Sequence, residues 1–250
     1  MAHPLTVKPL GGSNQYEQSK FLQFQPNPGR YMLLGDTGSG KTSAAFVIFK
    51  HLFPLCTRWH IISSTIEHDG SFEEMKDMIC EGLRQQGIDA DEDPQEKFCH
   101  ESLDALAGIV QQARRRTRLA KEADQKYLPQ TFLYIDDMIS FMRHSSLLDR
   151  LMATSRHIGL NIVLNSQQYV GLSTLQRKSL SCIGLFKVHA RELEGVISEL
   201  AGKNNASADD LLEAFRIATA KPHGFLWIRR QAKDQNEMLF SGFTKRIVSD

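Results

Sequence analysis

The chain has 250 residues, of which 41% are hydrophobic and 24% are charged, and its formal net charge is +1. This composition is typical of a folded globular protein and argues against global disorder. The balanced charge excludes the strongly basic type of protein that coats nucleic acid, so any contact with nucleic acid must come from a local patch.

The first segment differs in composition from the rest of the chain. Residues 1–29 are polar and rich in turn residues, so we expect an N-terminal arm over 1–29 and one domain over 30–250. The start lacks the apolar stretch of a signal peptide, and no segment is apolar enough to span a membrane. The four cysteines have neither metal-binding nor redox spacing, which indicates reduced thiols. These features predict a soluble, intracellular protein without a membrane partner.

Apolar runs and helical periodicity alternate along the domain. The predicted strands are Arg30–Gly35, Trp59–Ser64, Phe132–Asp137, Leu160–Asn165, Ile183–Val188, Gly224–Ile228 and Met238–Phe243, with the last two as a candidate pair. The predicted helices are Lys41–Phe53, Phe72–Gln86, Leu103–Lys126, Ser145–His157, Arg191–Ala201 and Asp209–Ala218, the last with Asn205 and Ser207 as candidate N-caps. The acidic stretch Asp89–Glu96 is predicted to be an exposed loop. The alternation predicts an α/β fold, with a mainly parallel sheet flanked by helices on both faces.

A phosphate-binding motif lies between the first predicted strand and the first predicted helix. The segment Gly35–Thr42 fits the pattern G-x-x-x-x-G-K-[ST] at every position. Glycines let the backbone wrap a phosphate with its N–H groups pointing inward, and the helix N-terminus adds positive potential. Lys41 is predicted to reach the β- and γ-phosphates, and the Thr42 hydroxyl to bind Mg²⁺. The candidate nucleotide-binding residues are Gly35, Asp36, Thr37, Gly38, Ser39, Gly40, Lys41, Thr42 and Ser43.

Two carboxylates follow the apolar strand that contains Leu133. The carboxyl ends of parallel strands form the active crevice of such sheets, so Asp136 is a candidate metal ligand there. Alternation along the strand predicts that Asp137 faces the other way, where it could polarise an attacking water. A simple strand-end turn is the alternative.

Polar amides end a third strand, at Asn165–Gln168. Gln167 could sense the γ-phosphate or orient water, although polar loops after strands are common. Arg156 precedes this strand and Arg177 follows its loop. Either arginine could stabilise transition-state charge in a neighbouring subunit, or it could simply be solvated or paired.

A basic cluster lies on the long predicted helix and consists of Arg114, Arg115, Arg116, Arg118 and Lys121. It could follow a phosphate backbone. The alternative is a solvated helix face whose charges are balanced by Glu122 and Asp124.

Taken together, the strand ends resemble the FtsK–HerA superfamily of ring-forming DNA-pumping ATPases, and within it the poxvirus-type viral genome-packaging ATPase family. The resemblance covers about residues 30–230, in the family's order. It rests on Leu33–Ser43, Tyr134–Asp137, Ser155–Asn161 running into Ser166-Gln167, Leu175–Arg177, Leu185–Lys187 and Lys221–Leu226.

This resemblance implies a RecA-like sheet in which the Gln167 strand lies between the phosphate-loop strand and the Asp136 strand. It also implies that Gln167 lies near the γ-phosphate and that Asp137 activates water. Many relatives carry Glu at the latter position, so the shorter Asp leaves the position of the water open. An arginine finger from the adjacent subunit is implied too, which Arg156 matches best and Arg177 second.

The family's activity implies an ATP-hydrolysing DNA translocase that uses ATP and Mg²⁺, the genome-packaging motor subunit of a DNA virus. The preference for ATP over GTP comes from the resemblance alone. The implied partners are double-stranded DNA, further copies of the chain in a pentameric or hexameric ring, and capsid proteins. The implied location is the host cell cytoplasm or virus factory, with association with the virion as an alternative.

Two other hypotheses remain open. A nucleoside or small-molecule kinase would need an arginine-rich lid, for which Arg114–Arg118 is the candidate. A non-catalytic module could use nucleotide as a switch for assembly on a capsid or another partner.

Overall fold

The computed structural model describes residues 16–89, 97–138, 145–202, 206–232 and 237–247. Asn205 and most of the predicted acidic loop, residues 90–96, lie outside these ranges. Within these ranges, no helix has the length and apolar character that crossing a lipid bilayer requires. The four cysteines all lie within the described residues, and none of them forms a disulfide bond.

One sheet contains every strand of the described residues. The strands are β1 (Arg30–Leu34), β2 (Cys56–Ser63), β3 (Cys99–His100), β4 (Gln130–Asp136), β5 (Leu160–Ser166), β6 (Cys182–Leu185), β7 (Leu226–Arg229), β8 (Leu239–Ser241) and β9 (Lys245–Arg246). Their order is β3-β2-β4-β5-β1-β6-β7-β8-β9. Pairing is parallel from β3 to β6 and antiparallel from β6 to β9. The predicted parallel sheet is confirmed, and so is the pairing of the last two predicted strands.

The position of β5 decides how the motifs meet. It lies between β1 and β4, as the resemblance implies. In register, Asn165 of β5 is opposite Leu33 of β1 on one side and Asp136 of β4 on the other. Because all three strands are parallel, their polar carboxyl ends meet at one edge of the sheet.

Helices cover both faces of the sheet. They are α1 (Lys41–Leu52), α2 (Glu73–Arg84), α3 (Ala105–Glu122), α4 (Ser146–Thr154), α5 (Thr174–Ser179), α6 (Ala190–Leu200) and α7 (Ala208–Ala218). One core joins α1 and α2 to Tyr31 and Leu33 of β1. The other joins α3, α4, α6 and α7 to Met32 and Leu34. Alternate residues of a central strand therefore enter two separate cores, which is why β1 is apolar throughout.

The described end of the N-terminal arm packs against this domain. Phe24 is 1% exposed, and its ring centroid lies 6.1 Å from that of Trp227 and 5.3 Å from that of Phe243. The Trp227 indole donates a hydrogen bond to the Gln23 carbonyl at 3.1 Å, and the Gln130 amide donates one to the Glu17 carbonyl at 2.8 Å. The arm therefore contributes a side chain to the core. The division into arm and domain stays a prediction.

Short elements are the ones that the sequence did not predict. β3 and β9 have two residues each, too few for an alternating pattern. The six-residue α5 begins at a capping box between Ser173 and Gln176, a signal that could have revealed it. The predicted helix Ser145–His157 is α-helical only to Thr154 and then tightens into a 3₁₀ turn, Ser155–Ile158.

The anchoring of the arm gives a testable difference between two phenylalanines. Phe24→Ala should lower the free energy of unfolding by about 3–5 kcal/mol, because it removes a buried ring and leaves a cavity. The matched control is Phe21→Ala, whose ring is 49% exposed; it should cost less than about 1 kcal/mol. Urea denaturation of both variants measures the two costs. Equal costs would show that Phe24 does not anchor the arm.

Candidate nucleotide-binding site

The loop between β1 and α1 has the backbone that its glycines were expected to allow. Gly38 and Gly40 have φ angles of 73° and 101°, in the left-handed region. A Cβ at Gly35 would lie 2.5 Å from Ser39 Oγ and 2.6 Å from Phe186 Cβ. Substitution at any of these three positions would therefore strain or displace the loop.

The Lys41 ammonium is held at the centre of this loop. Its Nζ donates hydrogen bonds to the carbonyls of Gly35, at 2.8 Å, and Asp36, at 2.9 Å. Burial lowers the pKa of Lys41, while Asp137, Asp136 and Asp36 act in the opposite direction. A phosphate in the loop could take over as hydrogen-bond acceptor and compensate the buried positive charge.

A buried polar network fixes Asp136 at the end of β4. Its carboxylate accepts hydrogen bonds from the Tyr134 hydroxyl, at 3.1 Å, and from the Asn165 amide. The Asn165 amide also donates to the Tyr134 hydroxyl, at 2.9 Å. Burial raises the pKa of Asp136, and these hydrogen bonds only partly offset that rise. The two hydrogen bonds therefore orient the Asp136 carboxylate, but they do not fully compensate its buried negative charge.

Asp137 corrects one expectation from the strand pattern. Instead of facing away from Asp136, it lines the same cleft. β4 ends at Asp136, and Asp137 has a φ of 46°, so the backbone leaves the strand and the alternation of side chains no longer applies. The Gln167 amide donates a hydrogen bond to the Asp137 carboxylate at 2.9 Å.

These groups surround one cleft of about 910 Å³. It contains both the phosphate loop and the polar ends of β2, β4 and β5. The described lining residues are Thr37, Gly38, Gly40, Lys41, Thr42, Ser43, Ala44, Val47, Ser63, Ser64, Thr65, Asp69, Asp136, Asp137, Asn165, Gln167, Phe186, His223, Phe225 and Phe243. No arginine is among them.

The oxygen atoms in this cleft are of the kind that Mg²⁺ prefers. Thr42 and Asp136 both line it, and the Tyr134 hydroxyl donates a hydrogen bond to Asp136 at 3.1 Å. Asn165 Oδ1 is buried and has no hydrogen-bond partner among the described residues. A buried acceptor without a donor suits a site that takes up a hydrated cation or a water molecule. The donor set therefore fits the expected metal.

The two candidate finger arginines lie outside the cleft of their own chain. Arg156 precedes β5, at the sheet edge opposite the phosphate loop, and its Nε and Nη2 are buried without a partner in the described residues. Burial lowers its pKa. Arg177 pairs with Glu199 at 2.9 Å and donates to the Leu172 carbonyl at 2.7 Å. A role for either in a neighbouring subunit stays a prediction, and the pairing makes Arg177 the less available of the two.

Several residues that line or support the cleft were not among the predicted site residues. Tyr134 reads as a core residue, and Asn165 as one amide among several at a strand end. His223 has a φ of 57°, and its ring Nδ1 lies 3.4 Å from the Ser39 carbonyl oxygen. The phenylalanines at the far end of the cleft come from distant segments that only the fold brings to the phosphate loop.

The raised pKa of Asp136 predicts a trade-off between stability and function. A carboxyl whose pKa is raised on folding favours the folded state below its unfolded pKa, and this contribution is lost as pH rises through the folded pKa. At pH 7 the ionised carboxylate of Asp136 therefore lowers the stability of the folded protein. Asp136→Asn removes the charge, and its amide oxygen can accept the same two hydrogen bonds. We expect the Tm of the nucleotide-free protein to rise by about 2–4 °C at pH 7.

Thermal melts of both proteins at pH 7 and pH 4 check this expectation. The difference in Tm should be smaller at pH 4 than at pH 7, because the charge penalty in the wild type diminishes as pH falls through the raised folded pKa of Asp136. A variant that melts below the wild type at pH 7 would contradict the inferred charge penalty.

Solved structures show that this fold is shared with RecA-like P-loop proteins. The genome packaging NTPase B204 of Sulfolobus turreted icosahedral virus 2, in complex with ATP-gammaS, matches with a TM-score of 0.54 and 17% identity over 82% of this chain and 94% of that chain. The pCW3 conjugation coupling protein TcpA matches with a TM-score of 0.56 and 14% identity over 87% of this chain and 61% of that one. A type VII secretion ATPase, EccC of Thermomonospora curvata, matches with a TM-score of 0.50 and 14% identity over 82% of this chain and 24% of that one. At these identities the likeness establishes the fold.

Sequence comparison gives the family. No curated protein sequence matches the chain. The family model described as Poxvirus A32 protein matches residues 99–228, just over half of the chain. This match includes the strand that ends in Asp136, the strand that leads to Gln167, and both candidate arginines. The chain belongs to the poxvirus A32 protein family.

Proposed function

We propose that the chain is an ATP-hydrolysing DNA translocase, the genome-packaging motor subunit of a DNA virus. One observation carries this proposal: the phosphate loop, Asp136, Asp137 and Gln167 converge on one cleft in a member of the poxvirus A32 family. The descriptions of B204 as a genome packaging NTPase and of TcpA as a conjugation coupling protein support it, because both proteins share the fold.

The phosphate loop binds and neutralises the triphosphate. Backbone N–H groups around Gly38 and Gly40 and the N-terminus of α1 cradle the phosphates, and Lys41 contributes a positive charge. Thr42 and Asp136 would hold Mg²⁺, and Tyr134 and Asn165 keep the Asp136 carboxylate in place. The cation would supply positive charge that offsets part of the negative charge of the triphosphate.

Asp137 and Gln167 act on the attacking water. Asp137 accepts a proton from the water while the water oxygen forms a bond to the γ-phosphorus. The bond between the γ-phosphorus and the β,γ-bridging oxygen breaks at the same time. The products are ADP and inorganic phosphate. Gln167, hydrogen-bonded to Asp137 at 2.9 Å, orients the carboxylate and responds to loss of the γ-phosphate.

Ring assembly would complete the site in trans. Arg156 lies at the edge of the sheet opposite its own cleft, so in a closed pentamer or hexamer it could face the cleft of the next subunit. Its partly buried guanidinium, with Nε and Nη2 unpartnered among the described residues, is consistent with a group that requires an anion from another chain. Capsid proteins as further partners, and the virus factory as the location, follow from the family resemblance.

A groove between α3 and α4 is a candidate DNA contact. It has a volume of about 490 Å³ and is lined by Arg114, Arg115, Arg118 and Arg150. In the described part of the chain, Arg118 alone among these four has an acidic partner, Glu122, at 3.7 Å on the exposed helix surface. A concentration of uncompensated positive charge attracts the phosphate backbone of DNA.

The two alternative functions find less support. A kinase lid would bring arginines to the phosphates, whereas the described lining of the cleft contains none and the arginine cluster lines a separate groove. A nucleotide-switched assembly module would not need Asp137 and Gln167 to be paired beside the phosphate loop. These contacts favour hydrolysis.

Measurement of the ATPase rate tests the main proposal. Purified protein should hydrolyse ATP in the presence of Mg²⁺, and double-stranded DNA should stimulate it. Lys41→Ala should lower the rate on the order of 100-fold, because transition-state charge loses its partner. Asp137→Asn should lower it by about 100-fold or more while ATP still binds. Lys50→Ala, which changes an exposed lysine of the same helix, is the matched control and should keep the wild-type rate.

Three outcomes would contradict the proposal. The first is an absence of ATPase activity even with DNA and Mg²⁺. The second is transfer of the phosphoryl group to a nucleoside, which would indicate a kinase. The third is DNA movement or packaging that survives Asp137→Asn, which would indicate a switch. Particle mass, measured by light scattering, gives the ring size.

The arginine groove predicts a salt-dependent loss of DNA affinity. The double variant Arg114→Ala, Arg118→Ala should weaken binding to DNA of any sequence and reduce the slope of log K against log[salt] by about 2. The control is Arg84→Ala, Arg216→Ala, which removes two exposed arginines from other helices. Fluorescence anisotropy at several salt concentrations measures both. An equal loss in the two double variants would mean that the groove makes no special contact.

A further inference from the structure

The cleft continues beyond the part that a triphosphate would occupy. Opposite the acidic residues it ends in three aromatic side chains, Phe186, Phe225 and Phe243, with Val47 of α1 nearby. Val47 follows Ser43 by one helical turn, about 6 Å further from the phosphate loop along the helix. Its side chain is 37% exposed although it is apolar. One end of the cleft is therefore polar and the other end largely apolar.

The order of the strands gives the direction of a bound nucleotide. Asp136, Asp137 and Gln167 follow β4 and β5, which lie on one side of β1. The polar residues at the end of β2 extend that same side. The phenylalanines come from the end of β6 and from the β7–β8 region, on the other side of β1. A triphosphate whose terminal phosphate lies at the acids must therefore have its nucleoside among the phenylalanines.

The aromatic rings form a supported wall. The centroids of Phe186 and Phe225 lie 4.7 Å apart with stacked planes, and those of Phe225 and Phe243 lie 4.9 Å apart with an edge-to-face angle of 70°. Phe243 is also 4.9 Å from the buried Trp227, which holds it from behind. Phe186 is fully buried, whereas Phe225 and Phe243 are partly exposed in the cleft. Partly exposed aromatic rings beside a phosphate site are a natural surface for a planar ligand.

We propose that Phe225 and Phe243, with Val47, form the subsite that binds the nucleobase of the triphosphate. This inference rests on the proposed function, because it assumes that the cleft binds a nucleotide. The base stacks against the exposed ring surface, and the phosphate loop holds the other end of the same molecule. The contact depends on an aromatic ring at position 243, since the planar π-surface is what the base recognises.

Calorimetric titration of the full chain tests the subsite. The probes are a non-hydrolysable ATP analogue and inorganic tripolyphosphate, each with Mg²⁺. Wild-type protein should bind the analogue more tightly than tripolyphosphate. Phe243→Ala should raise the Kd of the analogue by about 5- to 100-fold, the range expected for loss of one stacked base. The Kd of tripolyphosphate should change less than about twofold.

Two further variants separate stacking from folding. Phe243→Tyr keeps a ring and should keep most of the affinity for the analogue. Phe243→Leu keeps an apolar side chain against Trp227 but lacks the ring. It should therefore lose affinity for the analogue alone, and it provides this test in a folded protein if the alanine variant is unstable. Phe21→Ala, a partly exposed phenylalanine outside the cleft, should bind both probes as the wild type does.

The failure of this inference differs from the failure of the proposed function. If wild-type protein binds neither probe, the nucleotide site itself is wrong. If it binds both equally well, or if the leucine variant loses both or neither, the phosphate site stands and the base subsite is overturned. A loss of affinity for the analogue alone supports the subsite.

Discussion

The hydrogen bonds of Asn165 are the contacts on which the candidate site depends. This side chain lies at the end of the central strand β5 and donates to Tyr134 and to Asp136 of the adjacent β4. Parallel pairing of β5 with both β1 and β4 sets that geometry, because it brings three strand ends to one edge. A shift of one residue in either register would turn the polar side chains into the cores on the faces of the sheet. The position of the carboxylate proposed to bind Mg²⁺ is therefore a property of the sheet.

Buried charge at this edge is the feature that the rest of the fold must accommodate. Burial lowers the pKa of Lys41 and raises that of Asp136, so each group is destabilised in its charged form. Their opposite charges offset only part of this effect. Two extensive apolar cores on either side of β1 supply the stability that makes such a site tolerable. Binding a nucleotide and a cation would supply the missing charge partners.

The distribution of aromatic residues gives the cleft a direction. Acids and amides lie on the β5 and β4 side of the phosphate loop, and phenylalanines lie on the β6 to β8 side. The antiparallel extension of the sheet brings Phe225 and Phe243 next to the loop, and the arm supports the same region through Phe24 and its contact with Trp227. The phosphate loop is one continuous segment of the chain, whereas the aromatic end of the cleft is assembled from segments that are far apart in the sequence.

Local residue patterns were sufficient to predict much of the fold and part of the candidate site. The glycines and Lys41 were enough to predict the phosphate loop, because its conformation depends on neighbouring residues in the chain. Apolar periodicity predicted the long helices and strands of the described residues. Periodicity could not predict the two-residue strands β3 and β9, which exist only through their pairing partners. Only the tertiary structure decided that Asp137 turns back into the cleft, that Asn165 holds Asp136, and that phenylalanines form the far wall. Those contacts join residues that are distant in the chain or depend on one unusual backbone angle, and neither leaves a periodic signal in the sequence.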